Sequence, residues 1–294
     1  MAEWTHLIRF IAKEDQQTHL GQLVDTTRDV GRDSVDGDVE IRAYLIRGTI
    51  FDGRIAVPEV VYTVERLLSP ITPDECSYIR CMGLNYKDHA EEANLPLPSV
   101  PILFTKPRTA LADPYPARLT IPRVAQDGTS DYEGELCAIL ARSGRDIPED
   151  EALERYVLGY TASNDVSARK LQTTTSQWCF GKGLDGSCPL GPVLVSPKAI
   201  PDPQNLSIKT YYAGRLVQDG HTRDMVFPLA RQIAYLSQGT TLEAGSLILT
   251  GTPAGIGYAR KPDRIYLEHG ADVRVEIEGI GTLVNKVRYE GMDE

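Results

Sequence analysis

Cysteine is scarce in this sequence, and its arrangement is that of free thiols. Only five cysteines occur among 294 residues. That number is odd, and the spacings match neither zinc-binding pairs nor the disulfide framework of a small secreted domain. The chain also lacks a run of about 18 apolar residues, which a membrane-spanning helix requires, and its first residues lack the features of a secretory signal. We therefore expect a cytoplasmic protein with reduced cysteines and no membrane partner.

Concentrated positive charge is also missing. The 31 Lys and Arg residues are outnumbered by 41 Asp and Glu residues, which gives a formal net charge of −10, and the basic residues form no run. Such a surface does not attract nucleic acid or anionic membranes, so we expect neither as a partner. An anionic substrate would need a local positive centre, either an Arg or Lys pocket or a bound metal ion.

Long apolar segments are lacking. The apolar runs are short, and glycines and prolines, of which the chain has 25 and 19, separate them. Frequent turns of this kind are typical of a β-rich protein rather than of a helical bundle. Apolar runs predict strands at residues 7–11, 41–46, 78–82, 136–140, 193–195, 247–249 and 273–277. Helical spacing predicts helices at residues 150–156, at residues 228–236 and, from Val60 to Leu68, between Pro58 and Pro73.

The domain organisation follows from length and from one proline-rich segment. The chain is long enough for a main domain with a small satellite, and it contains no internal repeat. Residues 69–73, Ser-Pro-Ile-Thr-Pro, have the composition of a linker. We therefore predict a β-rich α+β protein with a small N-terminal α/β module, residues 1–73, and a catalytic domain, residues 74–294.

The sharpest local pattern is the pair Glu133 and Glu135, which leads directly into the apolar run at residues 136–140. Residues two apart on a strand project from the same face, so the two carboxylates would be neighbours. Taken alone, the pair could be a solvated acidic strand edge. The apolar run indicates burial, and buried carboxylates that are this close need a proton or a cation between them. Oxygen-only ligands favour Mg²⁺ or Mn²⁺ over zinc.

A third carboxylate, Asp165, is followed by Arg169 and Gln172 at spacings of four and seven residues. In a helix these three side chains would share one face, where they could hold a metal and orient an acidic substrate. The alternative is an ordinary helix N-cap at Asp165 or Asn164. Spacing alone does not separate the two interpretations.

His89 is one of five histidines, and Glu92 follows three positions later. On a helix Glu92 would be within hydrogen-bond reach and would raise the basicity of the imidazole, which a general base needs. A lone histidine is more often structural. The prolines of residues 94–98 would end this helix and could hinge a lid.

Two further segments allow either a structural or a functional interpretation. Residues 250–257, Thr-Gly-Thr-Pro-Ala-Gly-Ile-Gly, form neither a phosphate loop nor a dinucleotide fingerprint. They predict a tight turn whose amides and Thr252 hydroxyl could meet a substrate carboxylate. Lys182 lies among glycines and could equally be a surface residue.

Taken together and in order, these segments resemble the fumarylacetoacetate hydrolase family. The matching segments are residues 83–89, 131–136, 164–169, Gln172, Lys182, 188–192, 251–257 and 275–281. The resemblance covers about residues 81 to 286, while residues 1–73 match weakly. Arg260-Lys261-Pro262 after the glycine turn is similar to fungal members, and the best-matching subgroup is that of acylpyruvases and oxaloacetate decarboxylases.

The resemblance implies a fold, a cofactor and a set of roles. The fold is a mixed β-sandwich roll with flanking helices, usually dimeric, so we expect a homodimer. The metal ligands are Glu133, Glu135 and Asp165, with Mg²⁺ as the usual ion and Mn²⁺ as a substitute. Residues in the substrate pocket or on the lid are Lys182, Arg169, Gln172, Thr252, His89 and Glu92. None of these positions is replaced, so an active enzyme is expected.

The expected substrate is a small anionic 2-keto or 1,3-diketo carboxylic acid. Metal and Lys182 would stabilise the enolate that forms when a C–C bond breaks, and His89, held by Glu92, would activate water or manage protons. The first prediction is acylpyruvate hydrolysis or oxaloacetate decarboxylation. The alternatives are a keto–enol tautomerase or isomerase, a repurposed enzyme of secondary metabolism and a metal-binding protein without activity.

Overall fold

The computed structural model describes residues 4–51 and 59–292. Its strands are β1 (His6–Ala12), β2 (Thr18–Leu23), β3 (Arg42–Ile46), β4 (Val61–Leu68), β5 (Tyr78–Gly83), β6 (Ile102–Lys106), β7 (Leu111–Ala112), β8 (Arg118–Ile121), β9 (Ser130–Asp131), β10 (Gly134–Leu140), β11 (Val157–Asn164), β12 (Ser167–Ala168), β13 (Cys188–Val195), β14 (Ser207–Tyr212), β15 (Arg215–His221), β16 (Ser246–Leu249), β17 (Asp272–Ile277) and β18 (Gly281–Tyr289). The helices are α1 (Val30–Asp36), α2 (Lys87–Glu92), α3 (Ala152–Tyr156), α4 (Arg169–Thr174), α5 (Cys179–Lys182) and α6 (Leu229–Leu236), with 3₁₀ turns at Arg108–Ala110, Arg123–Ala125 and Thr222–Asp224. None of the described helices is both long and apolar enough to cross a membrane.

Two large sheets form the framework. The first has the order β2-β3-β4-β1-β13-β11-β10-β16-β5-β6, with β7 beside β13, and the second has the order β15-β14-β17-β18-β8. Side chains from β10, such as Leu136 and Ala138, share a buried core with Ile208 of β14 and Val275 of β17. The sheets therefore pack face to face across this core, which agrees with the predicted β-rich α+β fold.

The central strand β10 is buried on both faces. Leu136 and Ala138 belong to the core between the sheets, whereas Cys137 and Ile139 belong to a second core on the other side. Because side chains alternate along a strand, only a continuous apolar run can satisfy both sides. This is why the run at residues 136–140 predicted a strand correctly, and the other six predicted strands are confirmed as well.

The helix predicted from Val60 to Leu68 is wrong, because this segment forms strand β4. Ala12 of β1 pairs with Val64, while Ile11 pairs with Arg66, so one residue of β4 bulges out of the ladder. The bulge places Val64 and Leu67, three positions apart, in the same core. That spacing imitates a helix. The other two predicted helices are confirmed as α3 and α6, and Pro58, which preceded the third, lies outside the described residues.

The N-terminal elements join the rest of the molecule through backbone pairing. Strand β1 is antiparallel to β13, with His6 opposite Val195. Helix α1 lies against β18, and Asp29 before this helix accepts hydrogen bonds from the amide and the hydroxyl of Thr282. A division of the chain at residue 73 remains a prediction.

Candidate active site

Three carboxylates meet where β10 begins and β11 ends. Glu133 and Glu135 flank Gly134, which pairs with Asn164 at the end of β11. Asp165 is the next residue, and its amide donates to the carbonyl of Glu133 at 2.8 Å. Oxygen atoms of all three carboxylates lie within 4.8 Å of one another. The antiparallel register therefore joins two segments that are about thirty positions apart.

The structure corrects the predicted placement of Asp165 on a helix. Strand β12 pairs with β9, with Ser167 opposite Asp131, which keeps the chain extended as far as residue 168. Helix α4 begins only at Arg169. Arg169 and Gln172 do lie together, with a 3.0 Å hydrogen bond between their side chains. Asp165 reaches the same cluster from the preceding turn.

Buried cations face these carboxylates. The Nζ atom of Lys182 lies 2.8 Å from Glu133 Oε2 and 2.6 Å from Asp165 Oδ2. Arg169 Nη1 lies 2.7 Å from Glu133 Oε1. Lys182 is thus a buried member of the site rather than a surface lysine, and Arg169 reaches the same glutamate from the other side.

The buried acidic and basic groups of the site shift one another's pKa values. Burial alone would raise the pKa of Glu133, but the cations of Lys182 and Arg169 hold that pKa well below its usual range. Burial alone would lower the pKa of Lys182, but Asp165 and Glu133 keep it above the usual value. The two carboxylates therefore favour the charged form of Lys182. Burial, reinforced by the charges of Asp165 and Glu133, raises the pKa of Glu135 well above its usual value.

The donor set fits a hard divalent cation. Glu135 Oε2 accepts the amide of Gly251 at 2.7 Å, while the buried Oε1 has no hydrogen-bond partner. Such an orphaned oxygen is costly unless something binds it. Four buried carboxyl groups also face three buried cations, so ionisation of all four would leave one negative charge without a positive partner in the cluster. These groups are Asp131, Glu133, Glu135 and Asp165 on one side and Lys106, Arg169 and Lys182 on the other.

Thr252 lies at the edge of the carboxylate cluster, but its hydroxyl already has two partners. It donates to the carbonyl of Gly134 at 2.9 Å and accepts from Gln218 Nε2 at 2.7 Å. The side chain therefore fastens the glycine turn, residues 250–257, to the start of β10. The structure brings Thr252 into the site as expected, and its contact with a substrate remains a prediction.

The predicted lid helix is α2, and it rests on the glycine turn. Both oxygens of Glu92 accept the amide of Gly255, at 3.1 and 3.0 Å, and Asp88 Oδ2 accepts the amide of Ala254 at 3.3 Å. His89 Nδ1 lies 3.6 Å from Glu92 Oε2, which is longer than a hydrogen bond. The two side chains are adjacent, and a small approach would connect them.

Two site residues had no role in the sequence-based prediction. Asp131 is fully buried and ion-pairs with Arg169 at 2.7 Å. Its carboxylate also accepts the amides of Gly257 and Tyr258, both at 2.9 Å. Asp131 thereby connects helix α4 to the glycine turn. The sequence offers one signal for Asp131, because this residue lies two positions before Glu133 in the same segment.

Lys106 is the other unpredicted residue. Its Nζ lies 2.8 Å from Asp165 Oδ1 and donates to the carbonyl of Ser187 at 2.9 Å and to that of Lys182. These contacts fix the loop that leads from α5 to β13. The sequence offers one weak signal, a lysine that ends a strand whose first three residues are apolar.

Comparisons with known proteins identify the family of this chain. A family model described as fumarylacetoacetate (FAA) hydrolase C-terminal matches residues 78–288. A caffeoylpyruvate hydrolase from Neonothopanus nambi is 42% identical over 293 residues, which is 98% of this chain and 94% of that protein. An oxaloacetate tautomerase from Homo sapiens, described as mitochondrial, is 40% identical over 223 residues, covering 75% of this chain and 68% of that protein.

Solved structures extend the likeness to nearly the whole fold. A 2-hydroxyhepta-2,4-diene-1,7-dioate isomerase from Mycobacterium marinum has a TM-score of 0.80 at 31% identity, covering 98% of this chain and all of that one. A fumarylacetoacetate hydrolase from Exiguobacterium antarcticum has a TM-score of 0.78 at 32% identity, with 97% of this chain covered. The predicted fold type is confirmed, and this chain belongs to the fumarylacetoacetate hydrolase family.

Proposed function

We propose that this protein is a metal-dependent enzyme that hydrolyses the C–C bond of an acylpyruvate. The observation that carries the proposal is the buried cluster of Glu133, Glu135 and Asp165, with the cations of Lys182 and Arg169 beside it. The cluster has acceptor oxygens for a metal and fixed positive charge for an anion. The caffeoylpyruvate hydrolase relative, which spans nearly the whole chain, supports acylpyruvates as the substrate class.

Glu133, Glu135 and Asp165 would hold the metal, with Mg²⁺ or Mn²⁺ as the expected ion. When bound, it would supply Lewis-acid polarisation of the substrate's keto and carboxylate oxygens. The ammonium of Lys182 adds a fixed charge next to that position and favours the negative charge that develops on the keto oxygen. The guanidinium of Arg169 is held by Asp131 and Glu133 and orients the pyruvyl carboxylate.

His89 would act as the proton carrier. Its Nδ1 faces Glu92, so Nε2 would take a proton from water. The water oxygen then adds to the acyl carbonyl carbon. The bond between that carbon and the methylene carbon breaks, and its electron pair leaves with the pyruvate enolate. His89 returns the proton to the methylene carbon, so the products are a carboxylic acid and pyruvate. Helix α2, docked on the glycine turn, would keep bulk water out.

Two other reactions use the same residues. Oxaloacetate decarboxylation needs the enolate but no attacking water. Keto–enol tautomerisation of oxaloacetate needs only the proton carrier, and the similarity to an oxaloacetate tautomerase favours it as the second candidate. A repurposed biosynthetic role would keep the same cluster and change the substrate.

The test measures product formation from acetylpyruvate and from oxaloacetate, each with Mg²⁺, with Mn²⁺ and with excess chelator. We expect metal-dependent release of pyruvate and acetate from acetylpyruvate. Metal-dependent enol–keto conversion of oxaloacetate without loss of carbon would move the assignment to a tautomerase. Pyruvate release that survives the chelator would contradict metal dependence.

Two further predictions concern the oligomeric state of the protein and its location in the cell. Homodimeric assembly is expected from the family resemblance, and sedimentation of the purified protein measures it. Cytoplasmic location also remains a prediction, which fractionation of cells that express the full chain would test.

A further inference from the structure

An open groove of about 640 Å³ lies between the end of helix α2 and the segment that follows the glycine turn. Its charged lining is formed by the cations of Arg215, Arg260 and Lys261 and by the acids Glu92 and Asp263. Arg260 is fixed in the wall, because its guanidinium donates to the carbonyl of Val217 at 2.6 Å. Within residues 4–51 and 59–292, neither Arg215 nor Lys261 forms a side-chain ion pair.

The groove adjoins the candidate active site. Glu92 lines it, lies beside His89 and accepts the amide of Gly255. On the other side the groove wall begins after Tyr258, whose amide donates to Asp131 and whose ring centroid lies 5.9 Å from the guanidinium of Arg169. A molecule whose keto-acid head sits at the carboxylate cluster would therefore extend past His89 into this groove.

Size and charge indicate what the groove takes. Pockets for drug-sized ligands have volumes of about 300–1,000 Å³, so the groove is larger than a methyl or carboxylate substituent requires. Glu92 already accepts an amide in the wall, and Asp263 is one acid against three cations, so Arg215 and Lys261 remain donors without a partner among the described residues. Cations in that position favour an oxygen that accepts hydrogen bonds at the far end of the ligand.

We propose that this groove binds the acyl tail of the substrate, and that the tail is of about ring size and ends in an acceptor oxygen. The oxygen belongs to a carboxylate or to a phenolic hydroxyl, and Arg215 and Lys261 donate to it. This inference rests on the proposed function, because it places the keto-acid head at the carboxylate cluster.

The experiment compares four acylpyruvates with the metal-loaded full-length protein. Their tails are methyl, phenyl, hydroxyphenyl and a chain that ends in a carboxylate. We expect kcat/KM for the tails with a terminal oxygen to exceed that for phenyl by about tenfold, as a charge-assisted hydrogen bond would give. The hydroxyphenyl and carboxylate arms distinguish the two sources of the oxygen.

Variants assign the effect to the groove. Arg215→Ala and Lys261→Ala should each reduce the advantage of the oxygen-bearing tails by about fivefold, the scale of one partly hydrated charged contact. Arg142→Ala, at an exposed arginine outside the groove, is the matched control and should keep the full advantage. An advantage that is missing in the native protein, or unchanged in both groove variants, overturns the inference.

A binding measurement separates this inference from the reaction itself. Calorimetry of the free acids that carry the same tails reports on the groove without turnover. Weaker binding of the oxygen-bearing acids to Arg215→Ala, with no cleavage of any acylpyruvate, would reject the reaction and retain the groove. Equal binding to the native protein and to both groove variants would reject the groove even if cleavage occurs.

Discussion

At the scale of single residues, burial decides what each charged group can do. Glu135 lies two positions from Glu133, yet the pKa values of the two carboxyls shift in opposite directions. Lys182 and Arg169 both touch Glu133, whereas Glu135 has one amide partner and one orphaned oxygen. Glu135 is therefore the carboxylate with most to gain from a bound cation.

Replacing Glu135→Gln should abolish metal binding and activity together. The amide keeps the shape of the side chain but removes the charge, and we expect the metal affinity to fall by at least about 100-fold, since even outer partners of metal ligands are worth 10–100-fold. Calorimetric titration with Mn²⁺ measures this effect. Glu154→Gln, at an exposed position of α3, is the control. Full activity of Glu135→Gln without metal would refute the mechanism.

His89→Ala should separate proton transfer from metal binding. The side chain lies beside Glu92 and is not among the three clustered carboxylates, so the affinity for Mn²⁺ should stay unchanged. Loss of a positioned general base typically lowers kcat by about 10²–10⁴-fold. His19→Ala, in the N-terminal strand β2, serves as a control. Normal turnover of His89→Ala would show that the proton carrier is another group.

Thiol reactivity should be confined to Cys179. This cysteine is exposed, whereas the other four free cysteines are buried. Burial raises the pKa of Cys76 to about 12 and that of Cys188 to about 11, and the thiolate is the reactive form. A chromogenic disulfide reagent at pH 8 should therefore modify one thiol in the native protein and five after unfolding, and Cys179→Ser should leave none reactive. Rapid modification of a second thiol would contradict the assigned burial.

At the scale of elements, Asp131 holds two parts of the site in register. Its carboxylate binds Arg169 of helix α4 and the amides of Gly257 and Tyr258. Gly257 has no room for a side chain, because an added Cβ would lie 1.7 Å from the carbonyl oxygen of Ile265 and 2.7 Å from the Asp131 carboxylate. The turn and the helix are therefore positioned by the same buried charge.

Asp131→Asn should weaken both stability and substrate binding. Breaking a buried ion pair leaves Arg169 only partly compensated, and we expect the free energy of unfolding to fall by about 3–5 kcal/mol. Urea unfolding measures that loss, and KM for the keto acid should rise because Arg169 is no longer fixed.

The control for this variant is Asp127→Asn, which changes an exposed loop position outside the buried cluster. Asp127 accepts the amide and the hydroxyl of Thr129 in an exposed loop, and replacing its carboxylate should cost about 1 kcal/mol or less. Equal losses for the two variants would show that Asp131 is an ordinary turn residue.

Secondary structure was predicted wrongly from the sequence at two places, strand β4 and the residues just before helix α4. Apolar spacing identified the strand β10, which is buried on both faces, but it missed the equally buried strand β11 and mistook a bulged strand for a helix at Val64 and Leu67. It also extended helix α4 back to Asp165, because the pairing of β12 with β9 is not visible in the spacing. Both errors arise from tertiary pairing that overrides local periodicity.

At the scale of the whole molecule, the acidic net charge and the buried carboxylate cluster both favour binding of a cation. The chain carries a formal charge of −10, and three of its carboxylates are concentrated within 4.8 Å in the core. A bound divalent cation would relieve this repulsion in the folded state only, because the cluster exists only when β10 and β11 are paired.

Metal should therefore raise the melting temperature, and chelator should lower it. At a free metal concentration 100 times the Kd, binding to the folded state alone adds about 2.7 kcal/mol to the free energy of unfolding. Calorimetric melting with Mn²⁺ and with chelator measures the shift, and Glu135→Gln should show none. An equal shift in the native protein and in Glu135→Gln would indicate metal binding elsewhere.

The sequence by itself determined the β-rich class, the adjacent pair Glu133 and Glu135, the helix that carries His89 and the family. The glutamate pair and the helix are local, since each depends on residues within a few positions of one another, whereas the class and the family depend on patterns spread along the chain. The resemblance grouped Asp165 with Glu133, but only the tertiary structure decided that Asp165 reaches it from extended backbone, that Lys106 contacts Asp165 and that Asp131 links Arg169 to the glycine turn. Those contacts depend on strand register, and register is fixed by the packing of two sheets around a common core.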